Sequence, residues 1–226
     1  MLLTIPDLLD AATLAAFRQA LAQATWVDGR GTAGHAALKA KDNQQLAHDD
    51  PLSRELGARV LEALHASTAF RSATLPLRVL PPRFNRYAGG AQYGFHVDNA
   101  VMSVPETGAW IRTDLSSTLF LSDPGDYDGG ELVVQDASGT HAFKLPAGHL
   151  LVYPGSSLHR VLPVTRGVRV ASFFWTQSLV RDDARRQLLH ELEQAIQSLA
   201  AREPGAPELA RLAHCRQDLL RQWADA

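Results

Sequence analysis

The sequence has 226 residues, of which 46% are hydrophobic and 20% are charged, a composition typical of a soluble globular protein and not of a disordered chain. The 22 Lys and Arg residues against 24 Asp and Glu give a formal net charge of -2, so no basic excess favours nucleic acid or an anionic membrane as a partner. No apolar run approaches the ~20 residues of a membrane helix, and the first residues lack the features of a signal peptide. The single cysteine, Cys215, cannot form an internal disulfide, so we expect a cytoplasmic protein.

The first 72 residues are expected to form a helical region that packs on the core. A first helix is predicted over Asp7–Thr25, where apolar residues recur on one face. A polar stretch with three glycines follows at Asp28–Gly34. A second helix is predicted to start at Asp50-Pro51, because aspartate is favoured at the N-cap and proline at the first helical position.

Residues 73–180 have a different composition, with short segments rich in Val, Leu, Phe and Tyr between turn residues. We predict eight strands: Thr74–Tyr87, Gln92–Asp98, Ser116–Leu121, Glu131–Gln135, His141–Lys144, Leu150–Tyr153, His159–Pro163 and Arg169–Thr176. About eight strands in roughly 100 residues favour a β-sandwich or a double-sheet jelly roll.

Residues 181–226 are predicted to form a helical hairpin, broken at Glu203–Pro207. Apolar residues stripe its two helices: Leu188, Leu189, Leu192, Ile196 and Leu199, then Leu209, Leu212, Leu219, Leu220 and Trp223. Such continuous stripes need to be buried. We expect them to pack on the β core or on a second subunit in a homodimer.

Three residues have the spacing of a metal site. His96 and Asp98 lie two positions apart on a predicted strand, so their side chains point to the same face. His159 opens a later strand. Two histidines and one carboxylate form the facial triad of non-haem Fe(II) oxygenases. The other seven histidines show no such pattern: His35, His48, His65, His141, His149, His190 and His214.

Arg169 lies ten positions after His159, and we expect the two strands to pair across the turn Pro163–Gly167. Arg169 alternates onto one face with Ala171, Phe173 and Trp175. An arginine in an apolar strand is costly unless it pairs with an anion, and its guanidinium suits the distal carboxylate of a dicarboxylate such as 2-oxoglutarate.

The sequence contains other cationic residues besides Arg169. Arg160 and Arg166 are interpreted as surface residues at strand ends, and Lys144 and Arg112 are alternative partners for the distal carboxylate.

The sequence resembles a known family at these positions. Tyr87, Gly90, Tyr93, His96 and Asp98 match the pattern Y-x-x-G-x-x-Y-x-x-H-x-D of prolyl 4-hydroxylase-like Fe(II)/2-oxoglutarate dioxygenases. The later run Gly129-Gly130-Glu131-Leu132, the His159–Arg169 interval and Trp175 fit the same pattern. The residues from Arg86 to Asp98 and the extra C-terminal helices are most similar to those of the bacterial PKHD-type hydroxylases.

The resemblance implies an α+β protein, with a double-stranded β-helix (jelly roll) core, N-terminal helices and a C-terminal helical hairpin. It implies a hydroxylase that uses Fe(II) as cofactor and 2-oxoglutarate as cosubstrate, with ascorbate as a reductant in some members. The substrate would be a small molecule or a peptide. The resemblance also implies a link between the protein and iron homeostasis.

Residue by residue, the resemblance implies that His96, Asp98 and His159 bind the metal. Arg169 would bind the distal carboxylate of 2-oxoglutarate. Tyr87 and, less strongly, Tyr93 would contact the cosubstrate, although both also suit an aromatic core.

Two alternatives stay open at this point. A non-catalytic iron or 2-oxoglutarate sensor could use the same ligands. A cupin-like protein could use the same fold with Zn or Mn, although Arg169 speaks against it.

Overall fold

A computed structural model describes residues 1–32, 41–104, 108–136 and 139–225. His35 and the end of the predicted polar stretch Asp28–Gly34 lie outside these ranges. The predicted class is confirmed: helices precede and follow a core of antiparallel sheets. None of the described helices is long and apolar enough to cross a bilayer.

The described ranges contain five α-helices: α1 (Ala11–Ala22), α2 (Pro51–Ala66), α3 (Thr68–Thr74), α4 (Asp183–Arg202) and α5 (Glu208–Trp223). The first is shorter at both ends than predicted, because Asp10 accepts a hydrogen bond from the Thr13 N–H and so caps it. The second begins as predicted, with Asp50 as N-cap and Pro51 in the first turn.

The strands of the described ranges are β1 (Leu3–Ile5), β2 (Val27–Asp28), β3 (Lys41–Asp42), β4 (Gln44–Gln45), β5 (Pro76–Val79), β6 (Arg83–Ala88), β7 (Gln92–His96), β8 (Val101–Ser103), β9 (Trp110–Arg112), β10 (Leu115–Phe120), β11 (Tyr127–Gly129), β12 (Leu132–Asp136), β13 (Gly139–Phe143), β14 (Leu150–Pro154), β15 (Leu158–Val161) and β16 (Val164–Ser178). Two short 3-10 helices lie at Gly29–Thr32 and Pro124–Asp126.

The predicted strand Thr74–Tyr87 is wrong at its start. Thr74 is the last residue of α3, which Ser67 caps by accepting from the Phe70 N–H. The remainder forms two strands, β5 and β6, separated by Leu80, Pro81 and Pro82. Proline has no N–H for a sheet ladder, so this pair ends the first strand.

Two sheets form the core. The larger has the order β1-β14-β10-β16-β6-β4-β2, with β5 and β11 also paired to β16, and the smaller has the order β13-β12-β15-β7-β3. Strands β8 and β9 form a separate two-stranded ribbon. Residues 1–72 therefore contribute four short strands as well as helices, and each of the two sheets gains edge strands from them.

The expected pairing of the His159 and Arg169 strands is wrong. His159 in β15 lies opposite His96 in β7, within the smaller sheet. Arg169 in β16 lies opposite Tyr87 in β6, within the larger sheet. The predicted turn Pro163–Gly167 is therefore also wrong: Val164–Gly167 begin β16 and pair with β11, and only Leu162–Pro163 connect the two sheets.

The alternation predicted for β16 is confirmed. Val170 and Phe174 pack with the apolar faces of α1 and α2 on one side of the larger sheet. Arg169, Phe173 and Trp175 line the space between the two sheets. One strand thus joins the helical layer to the interior of the jelly roll.

The C-terminal hairpin is confirmed as two helices, but its stripes are unevenly buried. Leu189 is fully buried beside Leu75 and Val180, whereas Leu188 is 49% exposed. In α5 no residue is fully buried, although Leu219, Leu220 and Trp223 pack against this cluster. The homodimer stays a prediction.

The Gly129-Gly130 pair forms a turn that only glycine fits. Both residues have positive φ, 71° and 68°. A Cβ on Gly129 would lie 2.0 Å from the Pro163 carbonyl oxygen, and one on Gly130 would lie 3.1 Å from Cδ of Arg169. The pair therefore lets β11 approach the connection between the two sheets.

We expect Gly129→Ala to lower the free energy of unfolding by at least about 2 kcal/mol, since both φ and a backbone clash oppose a side chain. Gly125→Ala is the matched control, because Gly125 lies in the preceding 3-10 helix and a Cβ added there would meet nothing within 4 Å. Urea denaturation measures both variants. Equal stability of the two would contradict the steric explanation.

The adjacent leucines of α4 give a second test. Leu189→Ala is expected to cost about 2–4 kcal/mol of unfolding free energy, because a fully buried side chain leaves a cavity. Leu188→Ala, at an exposed position of the same helix, should change it by less than about 0.5 kcal/mol. A comparable loss in both variants would show that Leu188 is also covered in solution, as a second subunit would cover it.

Candidate functional site

A cavity of about 450 Å³ lies between the two sheets. The smaller sheet contributes His96 and His159, and the larger contributes Tyr87 and Arg169. Apolar residues cover part of its wall, among them Met102, Phe173 and Trp175. All the site residues predicted from the sequence line this one cavity: Tyr87, Tyr93, His96, Asp98, His159 and Arg169.

His96, Asp98 and His159 converge at one end of the cavity. Ligand atoms of the three side chains all lie within 4.8 Å of one another. Nε2 of His96 is 4.0 Å from one carboxylate oxygen of Asp98, and Nε2 of His159 is 3.8 Å from the other. Asp98 follows the end of β7 and is not within it, yet its carboxylate still meets both imidazoles.

Backbone carbonyls orient both imidazole rings. Nδ1 of His96 lies 2.8 Å from the Gly94 carbonyl oxygen, and Nδ1 of His159 lies 3.0 Å from that of Ser157. Because a carbonyl only accepts, each Nδ1 carries the proton and donates it. Each Nε2 therefore presents a lone pair to the common centre, as a metal-binding imidazole requires.

Neighbouring side chains hold the three residues in place. The Tyr93 ring stacks on the His96 ring, with centroids 3.6 Å apart and planes at 19°. Tyr153 meets His159 edge-on, with centroids 5.1 Å apart. The Ser116 hydroxyl donates to the Asp98 carboxylate over 2.5 Å. These contacts fix the direction of each ligand atom before any metal binds.

The electrostatics keep His96 neutral. Burial, together with the neighbouring His159, lowers the pKa of His96 to about 4. A neutral imidazole is the form that ligates a metal, because the charged form has no lone pair. Two imidazoles and one carboxylate are a donor set that suits Fe(II).

Arg169 is fully buried, with 1% of its surface exposed. Its guanidinium lies 5.4 Å from the Tyr87 ring centroid and 5.3 Å from that of Phe120. Among the described residues, neither its Nε nor one of its terminal nitrogens has a hydrogen-bond partner. A buried cation with N–H groups left over fits an anionic ligand in the cavity.

Tyr87 is likewise buried, with 1% exposed, and burial raises the pKa of its hydroxyl. Its hydroxyl oxygen accepts a hydrogen bond of 2.9 Å from the side-chain amide of Asn43. Tyr87 and Arg169 are direct cross-strand neighbours, so both side chains extend from the same face of the larger sheet.

The sequence did not reveal several cavity residues, namely Lys41, Asn43, Gln45, Asn85, Ser116 and Tyr153. Lys41, Asn43 and Gln45 belong to two-residue strands or to the single residue between them, which are too short for an alternation pattern. Burial, with Arg83 nearby, lowers the pKa of Lys41 to about 8. Ser116 and Asn85 lie on predicted strands, where polar residues recur among apolar ones. This pattern is the signal that could have identified them as cavity residues.

The alternative cations do not line the cavity as the described residues define it. Lys144 donates to the Tyr127 carbonyl oxygen over 2.7 Å, and Arg112 pairs with Asp114 over 2.6 Å. Arg166 is exposed and pairs with Asp128, as a surface arginine should. Arg160 is half-buried, with its guanidinium 4.4 Å from the Phe95 ring centroid, so it is less exposed than predicted.

Solved structures share the fold of this chain. A prolyl-4-hydroxylase from Pseudomonas putida superposes with a TM-score of 0.51 at 21% identity, covering 78% of this chain and 92% of that one. HygX from Streptomyces hygroscopicus, solved with nickel and 2-oxoglutarate bound, gives a TM-score of 0.54 at 16% identity, covering 78% and 82%. At such identities the likeness shows a shared double-stranded β-helix fold alone.

Sequence comparison is more specific. The model of the 2OG-Fe(II) oxygenase superfamily matches residues 82–177, and that of the PKHD-type hydroxylase C-terminal domain matches residues 183–225. PKHD-type hydroxylases from Parvibaculum lavamentivorans and from Xanthomonas campestris pv. campestris are each 57% identical, over the full length of both chains. The chain therefore belongs to the PKHD-type hydroxylases and is a 2-oxoglutarate-dependent dioxygenase.

Proposed function

We propose that His96, Asp98 and His159 hold the Fe(II) of this dioxygenase and that Arg169 binds the distal carboxylate of 2-oxoglutarate. One observation carries the proposal: a preoriented His-Asp-His triad and a buried guanidinium with unpaired N–H groups line the same cavity. The triad fits a metal cation, and the guanidinium fits the far end of a dicarboxylate.

The two sheets contribute different binding groups to the cavity. The triad belongs to the smaller sheet and to the residues directly after β7, whereas Arg169 and Tyr87 belong to the larger sheet. A cosubstrate that bridges the sheets would meet an iron ion at one end and a cation at the other. This arrangement selects a ligand with two acidic ends and disfavours a simple keto acid.

Iron with 2-oxoglutarate and O₂ supplies the oxidation itself, in which the cosubstrate is decarboxylated to succinate and the substrate receives a hydroxyl group. The chain positions the reactants and excludes water. Met102, Phe173 and Trp175 form an apolar wall of the cavity, which shields a reactive centre from solvent. Tyr93 would act through His96, on which it stacks, more than through the cosubstrate.

We propose a small molecule or a peptide as the substrate, because the cavity opens between two sheets and is of small-molecule size. The link to iron homeostasis stays a prediction. Family membership favours catalysis over a sensor or a cupin-like binding protein. Succinate formation and O₂ consumption, measured with 2-oxoglutarate alone and with candidate compounds added, test this: a substrate raises both rates together.

Replacement of any one triad residue by alanine is expected to abolish stoichiometric Fe(II) binding, since each would supply one of three protein ligands. Anaerobic iron titration measures the loss, and circular dichroism checks the fold. His214→Ala is the control, because His214 is exposed on α5 beside Asp218. Full iron affinity in His96→Ala, Asp98→Ala or His159→Ala would remove that residue from the site.

Arg169→Ala is expected to weaken 2-oxoglutarate binding by roughly ten- to a hundredfold, because a charge-assisted hydrogen bond contributes about 1.5–3 kcal/mol. Fe(II) affinity should change little. Arg169→Lys should lose less, since a point charge remains without the bidentate fork. Titration of the anaerobic Fe(II) enzyme, followed by its metal-to-ligand charge-transfer band, measures these affinities.

Arg166→Ala is the control for charge removal, because Arg166 is exposed and pairs with Asp128 on the outer surface. It should bind 2-oxoglutarate like the unchanged protein. An unaltered affinity in Arg169→Ala would mean that another cation holds the distal carboxylate.

A further inference from the structure

Asn43 is the residue between β3 and β4, and it lies against the cavity with only 5% of its surface exposed. Its side-chain amide donates to the Tyr87 hydroxyl oxygen over 2.9 Å. We propose that Asn43 is a positioning residue, which fixes the Tyr87 hydroxyl as a hydrogen-bond donor to the cosubstrate beside Arg169. This inference rests on the proposed binding of 2-oxoglutarate at Arg169.

The hydrogen bond from Asn43 restricts the direction of the Tyr87 hydroxyl proton. A phenol has one donor and can accept two hydrogen bonds. Asn43 occupies one acceptor position, so the proton must point elsewhere. The described residues include no acceptor bonded to that proton, although the side chain is buried. A hydroxyl that already accepts a bond is also a stronger donor.

Arg169 lies beside the Tyr87 side chain. Tyr87 and Arg169 lie opposite each other on β6 and β16, and the guanidinium carbon is 5.4 Å from the Tyr87 ring centroid. Both side chains line the same cavity. The free O–H and the unpaired guanidinium N–H groups therefore serve one anionic group, and burial keeps the phenol protonated by raising its pKa.

Gly29 contacts both the backbone and the side chain of Asn43. The Asn43 carbonyl oxygen accepts a 2.9 Å hydrogen bond from the Gly29 N–H. A Cβ on Gly29 would lie 1.9 Å from Oδ1 of Asn43, so the amide is seated directly on the glycine. Glycine at position 29 thus leaves room for the orientation in which the amide nitrogen meets Tyr87.

The polarity of Asn43 also needs a reason. Among the described residues, its Oδ1 has no hydrogen-bond partner despite being buried. If Asn43 only filled space, an apolar side chain of similar size would avoid the cost of an unsatisfied buried oxygen. A contribution to ligand binding through Tyr87 explains why position 43 carries an amide side chain.

The test is a double-mutant cycle on 2-oxoglutarate affinity in the anaerobic Fe(II) enzyme, read from the charge-transfer band. Asn43→Leu is expected to weaken 2-oxoglutarate binding by about two- to tenfold, the value of one neutral hydrogen bond. In a Tyr87→Phe background the same substitution should have no further effect. Fe(II) affinity should stay unchanged in every variant.

Asn43→Asp separates positioning from packing, because it keeps the shape but makes the side chain an acceptor. The carboxylate would accept the hydrogen bond that the Tyr87 hydroxyl otherwise donates to the cosubstrate, so the loss should be at least as large as that of Tyr87→Phe. Gly29→Ala, which displaces the amide without altering it, should reproduce the loss of Asn43→Leu and serves if either Asn43 variant fails to fold. Gln44→Leu is the control, since Gln44 is exposed and bonds to Arg86 on the outer face.

The outcomes are distinct. Equal losses from Asn43→Leu with and without the Tyr87 hydroxyl would overturn the proposal, as would an unchanged affinity in Asn43→Asp. A failure of the proposed function shows itself separately, because Arg169→Ala would then leave 2-oxoglutarate affinity intact whatever Asn43 does.

Discussion

A buried guanidinium that pairs with no carboxylate of the described residues is the constraint on which the interior of this molecule depends. Arg169 is enclosed by aromatic rings in the middle of a 15-residue strand, and no described carboxylate pairs with it. A buried arginine in this setting costs free energy of folding unless an anionic ligand pairs with its guanidinium. The cavity between the two sheets borders Arg169 and leaves room for such a ligand.

The opposite wall of that cavity is built for a cation. The pairing of β7 with β15 sets His96 directly beside His159, and the chain then turns so that Asp98 meets both. Backbone carbonyls fix the two imidazole tautomers. Cation site and anion site thus face each other from two sheets, which is the arrangement that a chelating dicarboxylate can bridge.

The helical layer matters because it leaves the interior free for function. One face of β16 packs its Val170 and Phe174 against α1 and α2, in the largest apolar cluster. Burial on that face stabilises the strand, so the other face can carry Arg169 and line a cavity. Small residues support the same division: Gly129 and Gly130 let β11 lie against β16 without disturbing Arg169.

Local sequence patterns were enough to predict the candidate metal ligands and Arg169, although not the rest of the cavity lining. The two-residue spacing of His96 and Asp98, the alternation of β16 and the helix cap at Asp50 depend on local geometry, so each can be predicted from neighbouring residues alone. Local periodicity also located the C-terminal helices, although it could not tell that Leu188 faces solvent while Leu189 is buried.

Which strands pair with one another could not be predicted from the sequence. The sequence predicts a hairpin turn at Pro163–Gly167, but Val164–Gly167 are the first residues of β16, and Leu162–Pro163 connect two different sheets. Strand pairing depends on contacts far apart in the chain, which local sequence does not reveal. Asn43 and Gly29 reach the cavity through strands of two residues and a 3-10 turn. Such segments are too short to carry a periodic signal, so their place beside Tyr87 follows from long-range packing alone.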